Sequence, residues 1–172
     1  MSVVIIMDTG RHAGHRAVAD TLSSILEKNW EVHLVDMSGK EPMHEKFYEI
    51  VRCGPPFVIT LDLAGFELKT ELETPSLNSV PCRMAHILFE EIEEYAGILK
   101  ERFNFSMFFY CREKVAEQIK GRYPDVPNIR GNDYLCETQR EVRERDADEW
   151  LSDFLREAMV AAGGRAGKDG KS

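Results

Sequence analysis

Nine consecutive residues hold the densest chemistry in the chain: Asp8-Thr9-Gly10-Arg11-His12-Ala13-Gly14-His15-Arg16. Gly10 and Gly14 permit a tight turn and close backbone approach to a ligand. A helix starting at the end of this stretch would offer free N–H groups and a partial positive charge to an anion. Arg11 and Arg16 add charge-assisted donors, and Thr9 and His12 supply further polar contacts. His15, the last residue before the predicted helix, suits a general base acting on a hydroxyl. Asp62 ends a later apolar run and is placed to orient His15 or a ligand hydroxyl, and Gly65 beside it leaves room for a ligand. The expected site is therefore catalytic at His15 and Asp62 and ligand-binding at Thr9, Gly10, Arg11, His12, Gly14, Arg16 and Gly65.

Several other chemistries are set aside by spacing. The glycines do not make G-x-G-x-x-G, and no Gly-Lys-Ser/Thr follows, so neither the dinucleotide fingerprint nor the phosphate loop of nucleotide hydrolases is present. The four cysteines, Cys53, Cys82, Cys111 and Cys136, form no C-x-x-C pair, and the five histidines show no H-x-x-x-H on a predicted helix. No metal and no cofactor is expected. Cys82 and Cys111 lack an identifiable base and are read as buried thiols. His86 sits in an apolar run and reads as a core histidine with its hydrogen bonds met. Glu90, Glu91, Glu93 and Glu94 read as the solvated face of a helix.

The elements that must position the loop follow from period. Residues 2–7 are a continuous β-branched run, as in a strand buried on both faces. Val18, Leu22, Ile25 and Leu26 then recur at helical spacing, and residues 31–36 form a second strand. Strand, helix and strand in about 36 residues make a right-handed βαβ unit. The alternation continues with a helix over 41–52 and a strand over 57–61. A loop over 62–81, a strand over 84–89 and an acidic helix over 90–102 follow. Next come a strand over 105–110, a helix over 114–122, a turn-rich stretch to 133 and a charged helix over 137–161. The predicted fold is a three-layer, Rossmann-like α/β domain with a mainly parallel sheet, one domain over 1–162 and a polar tail over 163–172. In such sheets ligands sit beyond the carboxyl ends of the strands, where residues 8–15, 37–41 and 62–68 fall.

The 172 residues carry 30 acidic against 22 basic side chains, a formal charge of −8. That balance weighs against affinity built on neutralising a nucleic-acid backbone. No apolar run reaches the length of a membrane span, and residues 1–7 lack the basic start of a secretory signal, so a cytoplasmic location is expected.

The Gly14-His15 turn between a strand and the helix Ala17-Val18-Ala19-Asp20-Thr21-Leu22, closed by a strand ending in Val35-Asp36, resembles the start of GT-B glycosyltransferases. The similar sets are the peptidoglycan N-acetylglucosaminyltransferases and the diacylglycerol glycosyltransferases. The stretch 57–66, with 78–88, is similar to the N-terminal halves of spore-protein-like glycosyltransferases. This resemblance implies an acceptor-binding half, with His15 at the cleft, Gly10 and Gly14 shaping the turn, and a sugar or other small-molecule acceptor. It also implies a donor-binding protein partner, since 172 residues leave no room for a second Rossmann-like domain. Two other readings stand beside it. One is a flavodoxin-like or other small-ligand-binding α/β domain, with residues 9–16 holding a flavin phosphate or another ligand. The other is a non-catalytic interaction module that docks through the charged C-terminal helix.

Overall fold

The structure is a computed structural model, and it describes residues 2–54, 57–73 and 75–131. Six parallel strands form one sheet: β1 (Ser2–Met7), β2 (Glu31–Asp36), β3 (Phe57–Leu61), β4 (Arg83–Leu88), β5 (Met107–Cys111) and β6 (Ile129–Gly131). Among the described residues three α-helices accompany them: α1 (His15–Leu26), α2 (Met43–Arg52) and α3 (Glu113–Arg122). The parallel three-layer α/β architecture expected from the sequence is the one observed. The helix expected over 137–161 and the tail over 163–172 lie outside the described residues.

Each strand feeds both layers because side chains alternate across a pleated sheet. Val3, Ile5 and Met7 turn to the α1 face, where they meet Val18, Ala19, Leu22 and Leu26. Val4 and Ile6 turn to the opposite face, with Ile50 of α2, Val115 and Ile119 of α3, and Phe66, Tyr95 and Phe103 from the connections. That division explains why β1 is continuously apolar from Val3 to Met7 rather than alternating.

The strand order is β2-β1-β3-β4-β5-β6. From β1 the chain runs outward to β2, then crosses back over β1 to β3 and continues in the other direction. The order reverses between β1 and β3, and the loops at their carboxyl ends splay apart there. A 2-1-3-4-5 order is the flavodoxin-like winding, whereas the dinucleotide-binding Rossmann winding runs 3-2-1-4-5-6.

Two segments depart from the expected elements. The acidic stretch predicted as a helix over 90–102 contains only a 3₁₀ turn at Ile92–Tyr95, followed by further turns. Buried Ile92 and Tyr95 both point inward, and Tyr95 Oη is tied to the backbone of Glu90, which closes the segment tightly at its start. Strand β6 falls in what the sequence presents as a turn-rich stretch. Three residues are too short to show a period, and β6 is fixed instead by its ladder to β5 and its packing on α3.

Candidate functional site

The loop after β1 is built around Asp8. Its Oδ1 accepts the backbone N–H groups of Gly10 and Arg11 at 3.1 and 3.0 Å, so the carboxylate itself occupies the turn that a phosphate would need. Thr9 is drawn the other way. Its N–H and hydroxyl donate to Asp36 at the end of β2, at 3.2 and 2.5 Å. Partial burial raises the Asp36 carboxyl, but the Thr9 and Ser38 bonds outweigh it and hold the group far below the usual carboxylate range. Gly10 packs against Ser38 so closely that a Cβ would lie 2.9 Å from the Ser38 Cβ.

Loop residues 12–15 then turn toward β3. His15 opens α1 and is buried, and its Nδ1 accepts the Asp8 backbone N–H at 3.1 Å. A backbone amide can only donate, so the neutral ring carries its proton on Nε2. That Nε2–H donates to Asp62 Oδ2 at 2.7 Å. The other carboxylate oxygen, Oδ1, accepts the Phe89 N–H at 2.8 Å and the Tyr95 hydroxyl. Tyr95 Oη in turn accepts the Glu90 N–H at 2.8 Å. One buried network thus joins the ends of β1, β3 and β4. Burial pushes the Asp62 carboxyl up, but the bonds from His15, Tyr95 and Phe89 more than offset this, and its pKa is lowered. Tyr95 is raised by burial and by the Asp62 charge, which keeps it a donor.

Asp62 and Leu63 both hold left-handed backbone, with φ of 50 and 59°, and neither is glycine. Each such residue costs about 1–2 kcal/mol. The turn aims the Asp62 carboxylate back across the strand ends, and the network that it completes offsets the strain.

Above this network lies a cavity of about 450 Å³, lined by residues 11–15 with Val18, Asp62, Phe89 and Glu90. Its exposed wall carries Arg11, His12 and Glu90. The His12 ring lies over His15 with centroids 4.8 Å apart, and His12 Nδ1 is 3.6 Å from Glu90 Oε1. His12, His15 and Asp62 bring ligand atoms within 4.8 Å of one another, a separation that suits one metal ion. The hydrogen-bond pattern points elsewhere. Ligation through His15 Nε2 moves the ring proton to Nδ1, directly against the Asp8 N–H, and breaks an existing bond. As it stands, the group is a proton-ordered clamp.

The structure brings together five of the nine sequence-predicted ligand or catalytic residues around the cavity: Arg11, His12, Gly14, His15 and Asp62. It does not bring Thr9, Gly10, Arg16 or Gly65 there. Arg16 pairs with Asp20 one turn along α1 and is exposed. Gly65, at φ 92°, faces Leu77 and Ile6 in the core. Sequence reasoning missed two members of the site. Tyr95 was hidden inside an apparently solvated acidic helix, and its signal is that it is the one aromatic among glutamates. Glu90 belonged to the same charge run, yet it walls the cavity, while Glu91 pairs with Arg112 and Glu93 with Arg122. His86 is buried as expected but only half satisfied. Thr60 Oγ1 meets its Nδ1 at 2.7 Å, and its Nε2 has no partner among the described residues.

Compared with protein-family models and with curated proteins, the sequence matches none. Among solved structures the chain is similar to the response regulator domain of Thermotoga maritima CheB, at 13% identity and a TM-score of 0.44. The match covers 93% of this chain and 97% of that one. The expectation of a glycosyltransferase half is corrected by the strand order. The winding is flavodoxin-like, with its order reversing between β1 and β3. The Gly14-His15 turn that suggested the resemblance is a local feature of many strand–helix junctions and does not report strand order. The donor-binding partner and the sugar acceptor rested on that resemblance and fall with it. Among the described residues no helix is long and apolar enough to cross a membrane.

Proposed function

We propose that this chain is a small-ligand-binding α/β domain whose ligand enters the cavity over the ends of β1, β3 and β4. One observation carries the reading. At the switch in strand order, where ligands of such sheets bind, a cavity of about 450 Å³ has a floor with its hydrogen bonds met and a polar wall of Arg11, His12 and Glu90. The Arg11 side chain makes no hydrogen bond or ion pair among the described residues, and the Nε2 side of His12 is likewise open. The roles then divide. His15 and Asp62 hold the three loops in register, because both ring nitrogens of His15 and both carboxylate oxygens of Asp62 are engaged in hydrogen bonds. Arg11, His12 and Glu90 meet the ligand. Arg11 offers paired donors to an acceptor group, and His12 with Glu90 suits a hydroxyl or amine.

A thermal-shift screen of nucleotides, flavins, amino acids and hydroxy acids tests this reading, since a ligand selective for the native state raises the melting temperature. A binder should lose about 10- to 100-fold in affinity on Arg11→Ala or His12→Ala, the loss of one charge-assisted hydrogen bond. A ligand held equally well by Arg11→Ala, His12→Ala and Glu90→Gln overturns the assignment of this cavity.

A further inference from the structure

The wall of the cavity over β1, β3 and β4 carries both signs of charge. Arg11 brings a guanidinium to it and Glu90 a carboxylate. The Arg11 side chain forms no ion pair among the described residues, so the two charges line one cavity without being joined across it. Each has support of its own sign. Helix α1 starts at this wall with Gly14 at its N-cap and no side-chain cap, so the partial positive charge of a 12-residue helix adds to that of Arg11. On the other side the Asp62 carboxylate lies in the floor, ionised beside a neutral His15. His12 belongs to the Glu90 side, with Nδ1 3.6 Å from Oε1. With the ring proton on Nδ1, toward that carboxylate, Nε2 presents a lone pair.

A ligand of one sign meets a like charge here. A phosphate suits Arg11 and the head of α1 but is opposed by Glu90 and Asp62, and a polyamine has the converse difficulty. A ligand with one anion and one cation on neighbouring atoms satisfies both sides. Size narrows the class further. The cavity of about 450 Å³ lies in the lower half of the range of about 300–1,000 Å³ usual for small-molecule sites, and Ala13, Val18 and Phe89 supply apolar lining. We propose that the ligand is a free α-amino acid with an apolar side chain. Its carboxylate meets Arg11 and the head of α1, its ammonium meets Glu90 and His12, and its side chain lies against Ala13, Val18 and Phe89. This assignment rests on the cavity being the binding site and names the ligand class that it takes.

The test crosses truncated ligands with truncated side chains in nitrogen-15 NMR titrations of the full chain at pH 7. The probes are L-leucine, L-leucinamide, which lacks the carboxylate charge, and 4-methylpentanoate, which lacks the ammonium. L-leucine should give saturable shifts at the amides of residues 11–15, 89 and 90, and each truncated probe should bind about tenfold or more weakly. In Arg11→Ala, L-leucine should fall to the level of L-leucinamide while L-leucinamide itself is unchanged. In Glu90→Gln, L-leucine should fall to the level of 4-methylpentanoate while that acid is unchanged. Arg11 is exposed and Glu90 half-buried, so neither variant opens the core. No saturable shift with L-leucine, or equal affinity for all three probes, overturns the amino-acid assignment. If a nucleotide or flavin instead binds with dependence on Arg11, that assignment falls and the cavity reading stands. Leucine shifts that persist undiminished in both variants overturn the two together.

Discussion

Replacing Asp62 by alanine leaves three donors facing an empty space: the His15 Nε2–H, the Phe89 N–H and the Tyr95 hydroxyl. A buried donor without an acceptor costs about 1–3 kcal/mol, and three are left around a neutral imidazole. Partial relaxation keeps the sum near about 3–5 kcal/mol. For a chain of this size that is a fall in melting temperature of roughly 6–20 °C. His15→Ala removes one bond to the carboxylate and leaves two, so it should cost less, about 2–4 kcal/mol with its cavity included. The two residues meet at 2.7 Å in the interior, so their losses overlap. The double variant should fall short of the summed single costs by about 1.5–3 kcal/mol. Urea unfolding of the four proteins at neutral pH measures the cycle. The pH dependence carries a second signature. The folded Asp62 pKa lies below its ordinary 3.8, so its contribution is complete above that value and is lost as pH falls through the folded pKa. Asp62→Ala should therefore flatten the acid limb below about pH 4. Additive single costs, or an Asp62→Ala penalty under about 1 kcal/mol, refute the clamp.

Two further outcomes follow from buried groups away from the site. Burial depresses the His86 imidazole to about 3 from 6.5, so the unfolded chain takes up a proton first as pH falls, and stability should drop by about 2 kcal/mol between roughly pH 7.5 and 5. In Thr60→Val/His86→Phe, which removes both partners of the bond at once, urea unfolding should lose that part of the slope; an unchanged slope means that His86 is protonated in the fold. Burial pushes the Cys82 and Cys111 thiols up to about 12, so alkylation of either at about pH 8 should wait on unfolding, whereas exposed Cys53 reacts in the native protein. Mass mapping of iodoacetamide adducts with and without urea reads this directly, and native labelling of Cys111 contradicts its burial.

What the sequence shows of this fold is set by how far each signal reaches along the chain. Strands β1, β3 and β4 are five or six residues long and mainly apolar, interrupted only by Ser2, Thr60, Arg83 and His86, because both faces of the sheet are covered, and such runs are legible locally. So is α1, whose buried Val18, Leu22, Ile25 and Leu26 recur at helical spacing. Strand order is not local. The same β-α-β sequence can wind to either side of β1, and the choice rests on the full set of crossovers, so a Gly14-His15 turn could suggest a glycosyltransferase half in a chain that winds otherwise. The acidic stretch failed for a related reason. Four glutamates dominate its composition, but one inward Tyr95, 33 residues beyond Asp62, decides its shape through a contact that no window of the sequence contains.

The same distinction separates the residues of the site. Loop 8–16 announces polar chemistry by composition, and composition cannot say which of its groups remain available. Asp8 spends one carboxylate oxygen on its own turn, Thr9 is committed to Asp36, and His15 is committed on both nitrogens. These are the groups that read as most reactive, and the fold uses them to hold itself together. His12 is different because of where it sits. It is three residues before His15, on the outer side of the turn, and its ring covers the buried clamp while keeping one edge toward the cavity. A titratable group becomes available for ligand only when a neighbour has already satisfied the backbone around it, and here His15 and Asp62 do that for His12. The clamp and the cavity are thus one arrangement: loosening the first should blunt binding in the second even though neither His15 nor Asp62 has a free atom to offer a ligand.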